Sequence, residues 1–115
     1  MSSDYPAHLY LDKHRRSLAL HQLIAEKIRR DPALLAKAGE NLARWMAMNP
    51  RTRARPYLAE WQAAIDQGVD STIALMTDSG EHATDLRGSS PFAGILTEAE
   101  RSAFLGEWRA KHPRY

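Results

Sequence analysis

The chain has no cysteine among its 115 residues. That excludes a disulfide framework, a thiolate nucleophile and a cysteine metal site, and it suits a reducing cytoplasm, where the protein is expected to reside. No stretch reaches the ~18 consecutive apolar residues of a membrane span, so no membrane partner is expected. The opening MSSDYPAHLYLDKHRR has no basic start followed by an apolar run, so no secretory signal is expected. No segment alternates apolar and polar positions with β-branched enrichment, which argues against strands. Internal repeats and low-complexity tracts are also missing.

The templates of common chemistry are missing as well. The sequence holds no G-x-x-x-x-G-K-[ST], no G-x-G-x-x-G, no H-E-x-x-H and no G-x-S-x-G. Five histidines are present, and the closest to a ligand pattern is His8 with Asp12 and Asp4, at spacings of four. His14 and His21 stand seven apart and can share a helix face. Neither pattern puts two histidines one turn apart beside a carboxylate, so neither a metal nor a cofactor is expected. Ser79, Ser89 and Ser90 fall near His82 in sequence, but their types suit helix ends and turns. Glu98 and Glu100 fit a first helical turn better than an acid–base pair. The chain is expected to be non-enzymatic.

What is there is an ordinary globular composition, with 43% hydrophobic and 26% charged residues, enough for a modest core. The length suits one domain over residues 1–115. A core this size leaves room for a protein partner or a second copy of the chain to cover part of it. The net charge of +2 is unevenly placed. Residues 1–57 carry 11 Lys/Arg against 5 Asp/Glu, or +6, and residues 58–115 carry 5 against 9, or −4. A basic half suits an anionic partner, unless the two halves intermix in the fold.

Hydrophobic periodicity predicts an all-α domain of five or six helices around one core. The first helix should begin between Asp4 and Asp12 and end near Arg30, with Leu11, Leu18, Leu20, Leu23, Ile24 and Ile28 as its apolar face. The organising stretch follows, from Asp31 to Trp61. Asp31 can cap the next helix, with Pro32 at its first position. Leu35, Ala38, Leu42 and Trp45 make one stripe, ended by Asn49-Pro50. Tyr57, Leu58, Trp61, Ala64 and Ile65 make the next, closed by Gly68. These two helices should pack antiparallel and bury both Trp45 and Trp61. A short helix opens at Val69-Asp70, another at a capping box of Asp78 and Glu81, and the last at a capping box of Thr97 and Glu100.

Two features point to binding. The linker from Asn49 to Pro56 carries Arg51, Arg53 and Arg55 with no acid among them. Three guanidinium groups on a short connection can clamp phosphate or carboxylate. With the basic residues of the first helix they could form a nucleic-acid patch. A helix-turn-helix around Ala36, Gly39, Leu42 and Trp45 fits less well, because Glu40-Asn41-Leu42 continues the apolar period without a turn. The second feature is the loop from Ser89 to Leu96. Phe92, Ile95 and Leu96 are too apolar to lie idle in water, so they either plug the core or form part of a partner surface; Phe92 and Ile95 are the partner-binding residues in the second case.

The run LRGSSPFAGILTEAER, from Leu86 to Arg101, resembles a signature of small bacterial helical proteins of antitoxin type, encoded beside toxin genes. The likeness extends loosely to HRRSLALHQLIAEKIRRDPALLAKAGENLARW and to Trp61 in the following helix. The resemblance implies a non-enzymatic protein that binds and neutralises a toxin and helps repress its own operon. The separate DNA-binding domain and disordered tail of many antitoxins are not visible here.

Overall fold

The computed structural model describes the backbone of residues 7–113 and the side chains of residues 11–113. Six α-helices and no strand occur among the described residues. They are α1 (Ala7–Arg30), α2 (Leu35–Met48), α3 (Arg55–Gln67), α4 (Val69–Met76), α5 (Glu81–Arg87) and α6 (Glu98–Lys111). The architecture is all-α, as periodicity predicted.

α1 is the axis of the bundle, about 36 Å long at the usual helical rise. It buries His21, Ile24, Ala25 and Ile28, spaced by one turn, against α4 and α5. Leu18, Leu20 and Leu23 are only half-buried, and Leu11 is 49% exposed. The apolar face that is fully covered is therefore narrower than its sequence suggests: towards the N-terminal half, Leu11 and Leu18 line an open cavity against Glu81, Thr84 and Asp85 of α5 rather than a closed core.

Asp31 does not cap α2 through its carboxylate. Pro32–Leu34 forms a 3₁₀ turn instead, in which the Leu34 N–H donates to the Asp31 carbonyl at 3.0 Å, and α2 starts only at Leu35. The tighter turn uses the backbone to satisfy the groups a side chain was expected to serve. α2 then buries Leu35, Ala38, Asn41 and Leu42, packs on α3, and ends at Asn49.

The connection from α2 to α3 is shorter than expected, because α3 begins at Arg55 with Pro56 in its first turn. α3 buries Leu58, Trp61 and Ala64. Trp61 is 0% exposed, and its indole N–H donates to the Leu86 carbonyl at 3.0 Å. Trp45 differs from the expectation: it is only partly buried, packed on the edge of the core. Gly68 holds φ = 118°, a conformation that costs a side-chain-bearing residue dearly, and so turns α3 directly into α4.

The capping box expected at Asp78 and Glu81 does not form. The Asp78 carboxylate accepts from the Gly80 N–H at 2.6 Å, and Gly80 becomes the N-cap of α5. A local turn outcompetes the helix cap for the same side chain. The Thr97–Glu100 box does form, with both reciprocal hydrogen bonds.

The loop between α5 and α6 is part of the core. Phe92 and Ile95 are each 2% exposed, packed with Ile24, Leu42 and Trp61. Asn41 of α2 holds the loop by donating to the Pro91 carbonyl at 2.9 Å and the Ala93 carbonyl at 3.0 Å. Lys27 of α1 donates to the Ile95 carbonyl at 2.9 Å and pairs with Glu100 at 2.6 Å. Gly94 supplies the positive φ of 84° that the loop needs between these anchors.

Candidate functional site

The residues expected to bind a partner divide sharply in the structure. Phe92 and Ile95 are withdrawn from any surface: burial against α1, α2 and α3 leaves neither side chain for a partner to touch. That part of the sequence reading is corrected, and the loop is a plug. Its polar groups are satisfied from within. His21 donates from Nδ1 to the Ser17 carbonyl at 2.7 Å, which leaves Nε2 to accept from the Ser90 hydroxyl at 2.8 Å. Burial holds the His21 pKa below its ordinary value, and the nearby Arg87 cation lowers it further. A serine beside a histidine is the geometry of an activated nucleophile. Here the imidazolium that a general base must become is disfavoured by burial and by Arg87, and no carboxylate steadies it. The pair ties the loop to α1.

Arg51, Arg53 and Arg55 are all exposed. Two consecutive turns place them. The Thr52 N–H donates to the Asn49 carbonyl at 3.1 Å, and the Arg55 N–H to the Thr52 carbonyl at 3.2 Å. The Thr52 hydroxyl accepts from the Ala54 N–H at 3.2 Å. Arg55 belongs to α3 rather than to the linker, and its guanidinium donates to the Pro50 carbonyl at 3.1 Å. Arg51 and Arg53 make no hydrogen bond or ion pair with a described residue.

These arginines alternate in sequence with residues that line an open cavity of about 390 Å³. Thr52 and Ala54 form one side of it, and Trp45, Met48 and Leu58 form its apolar part. Gly88, Ser89 and Ser90 close the far wall, and no acidic side chain lines it. Leu58 is a buried floor, Trp45 a half-buried wall, and Met48 is 75% exposed at the mouth. Tyr57, on the first turn of α3, is also exposed. The α2–α3 corner thus holds an adaptable thioether and an indole on a cavity whose lining residues Thr52 and Ala54 are interleaved with three exposed arginines.

Sequence reasoning reached the arginines and Trp45 but missed Met48. The available signal was its place three residues after Trp45, at the end of the α2 stripe. It also missed Asn41, whose buried amide is the clamp on the loop.

Three of the basic residues of the first helix are directed elsewhere. Lys27 is engaged with Ile95 and Glu100. Lys13 and Arg16 face α6 instead, in a cleft with Arg101 and Arg109. The remaining histidines are dispersed. His82 pairs with Glu60 at 2.7 Å on the surface, His112 stacks on Trp108, and His14 lines a separate cavity with Leu11 and Leu18. The spacing of His8 with Asp4 and Asp12 falls outside the described residues. Among the described residues no group of three His, Asp or Glu is placed to hold a metal ion, and no helix is long and apolar enough to cross a membrane. Comparison of the chain with protein-family models, with curated proteins and with solved structures gave no match.

Proposed function

We propose that this chain is a non-enzymatic protein-binding module of antitoxin type, which neutralises a cognate toxin by direct binding at the α2–α3 corner. The observation that carries the reading is the exposure of Met48 at the mouth of a cavity walled by Trp45 and floored by Leu58. A chain with a modest core gains stability by covering such a side chain and loses it by leaving it in water. The corner has the parts of a binding hot spot: an apolar recess to take one anchoring side chain, with cations beside it. Arg51, Arg53 and Arg55 suit carboxylates, which guanidinium groups bind in pairs of hydrogen bonds. The matching partner surface presents an apolar side chain flanked by Asp or Glu. The action is placed in the cytoplasm, where such a toxin works.

The test is co-expression with the product of the adjacent gene, read as growth rescue, together with calorimetry on the purified pair. The native chain should rescue growth and bind. Met48→Asp, and separately the Arg51, Arg53 and Arg55 triple change to Ala, should keep the native melting temperature and lose at least ~2 kcal/mol of binding. Folded variants that bind and rescue like the native chain would remove the corner as the site, and absence of any complex would remove the antitoxin reading.

A further inference from the structure

α6 is the helix least absorbed into the core, with no fully buried residue. It flanks α1 across a cleft of about 410 Å³ whose walls carry Lys13 and Arg16 on one side and Arg101 and Arg109 on the other. Leu20 and Leu105 form its apolar part, and no acidic residue lines it. The ion pairs of the described residues are Lys27 with Glu100 and His82 with Glu60, so none of these four cations is paired with a described residue. Four like charges around one concave cleft repel one another and raise its affinity for anions. Arg101 also lines the adjoining cavity with Arg87, Ser17 and Ser90, so the basic track continues beyond the cleft.

A second observation lies on α6 itself. Phe104, Trp108 and His112 recur every four residues along one face, the face that also holds Arg101, Leu105 and Arg109. Their rings form a column. Phe104 and Trp108 have centroids 6.1 Å apart at 26°, and Trp108 and His112 are 3.8 Å apart at 16°. The column ends at His112, which is exposed. Cations that follow a concave track beside stacked rings are the combination that holds single strands, where phosphates meet the charges and bases meet the ring faces. A duplex is read the other way round, by a convex element entering its groove.

We propose that the α1–α6 cleft binds single-stranded nucleic acid. Lys13, Arg16, Arg101 and Arg109 take the phosphates, and a base stacks on the exposed end of the column at His112. This site is separate from the α2–α3 corner and stands whether or not the corner binds a toxin.

Fluorescence anisotropy on the full chain tests it, with labelled 12-residue oligo-deoxythymidylate, oligo-uridylate and a duplex of equal length. If all four cations meet phosphate, the logarithm of affinity should fall with the logarithm of salt at a slope of about −2.8, or roughly 50-fold between 50 and 200 mM. The double variant Arg16→Ala with Arg101→Ala should lower affinity and reduce the slope by about 1.4. His112→Ala should weaken binding and leave the slope unchanged, because it removes stacking and not charge. The Arg51, Arg53 and Arg55 triple variant should bind like the native chain. Absence of single-strand binding at 50 mM salt would overturn the proposal. So would preference for the duplex, or loss of binding in the triple variant with none in the double variant.

Discussion

Trp61 and Phe92 meet at right angles, with ring centroids 5.2 Å apart and planes at 90°. His21 makes a similar contact on Phe92, at 5.9 Å and 85°. One loop residue therefore joins α1 to α3, and the edge-to-face geometry adds to the area each ring buries. Phe92→Ala should destabilise the isolated chain by about 3–5 kcal/mol, the cost of emptying a buried aromatic site. Urea unfolding followed by tryptophan fluorescence measures it; a loss below 1 kcal/mol would remove Phe92 from the core.

The two tryptophans of α2 and α3 should not behave alike. Trp61 is sealed and hydrogen-bonded, whereas Trp45 is half open to the corner cavity. Trp61→Ala should cost about 3–5 kcal/mol and Trp45→Ala clearly less. Thermal melts of the two variants rank them, and equal midpoints would contradict the difference in burial.

Asn41 satisfies two loop carbonyls and accepts from Arg44 at 2.6 Å. Asn41→Leu keeps most of the volume and removes every one of these bonds. The Pro91 carbonyl then loses its buried partner, at a cost of about 1–3 kcal/mol. The midpoint of urea unfolding should drop with its slope unchanged, since the surface exposed on unfolding is nearly the same.

Lys27 ties α6 to α1 through Glu100, and this hydrogen bond, with the Thr97 N–H, pulls the Glu100 pKa down from 4.5 to about 2. A carboxylate depressed in the folded state contributes stability that is complete above its unfolded pKa and fades as pH falls through the folded one. Glu100→Gln should therefore melt slightly lower than the native chain at neutral pH. The effect is small because the pair is solvent-accessible. The gap should close between pH 4.5 and 2. A gap that persists unchanged at pH 2 would show that charge is not its source.

His21 carries the opposite charge logic. Burial lowers its pKa from 6.5, so the folded protein resists the proton that the unfolded chain accepts. Above pH 6.5 both states are neutral and the residue adds no pH dependence. Below it the unfolded state gains protons first, and stability falls. His21→Phe should lose the bond to Ser90 and lower the melting point at pH 8, yet decline less steeply than the native chain from pH 6.5 to 5. Parallel melting profiles over that range would refute the neutral, buried assignment.

The sequence by itself determined the helices and most of their ends, because those signals are local. Pro32, Asn49-Pro50, Gly68 and the Thr97–Glu100 box act on the residues beside them, so their effects survive whatever the rest of the chain does. Local signals misled where two local bonds competed for one group. Asp31 yielded to a 3₁₀ turn and Asp78 to a bond with Gly80. Only the tertiary structure decided which apolar residues are covered. Periodicity shows that a helix has an apolar face and says nothing of how far its neighbour reaches along it. Leu11 and Met48 lie on such faces and remain largely exposed, whereas Phe92 and Ile95, on a loop with no period to read, close the core. The same holds for the cations. Arg51, Arg53 and Arg55 are adjacent by sequence alone, but Lys13 and Arg16 meet Arg101 and Arg109 only because α6 folds back beside α1.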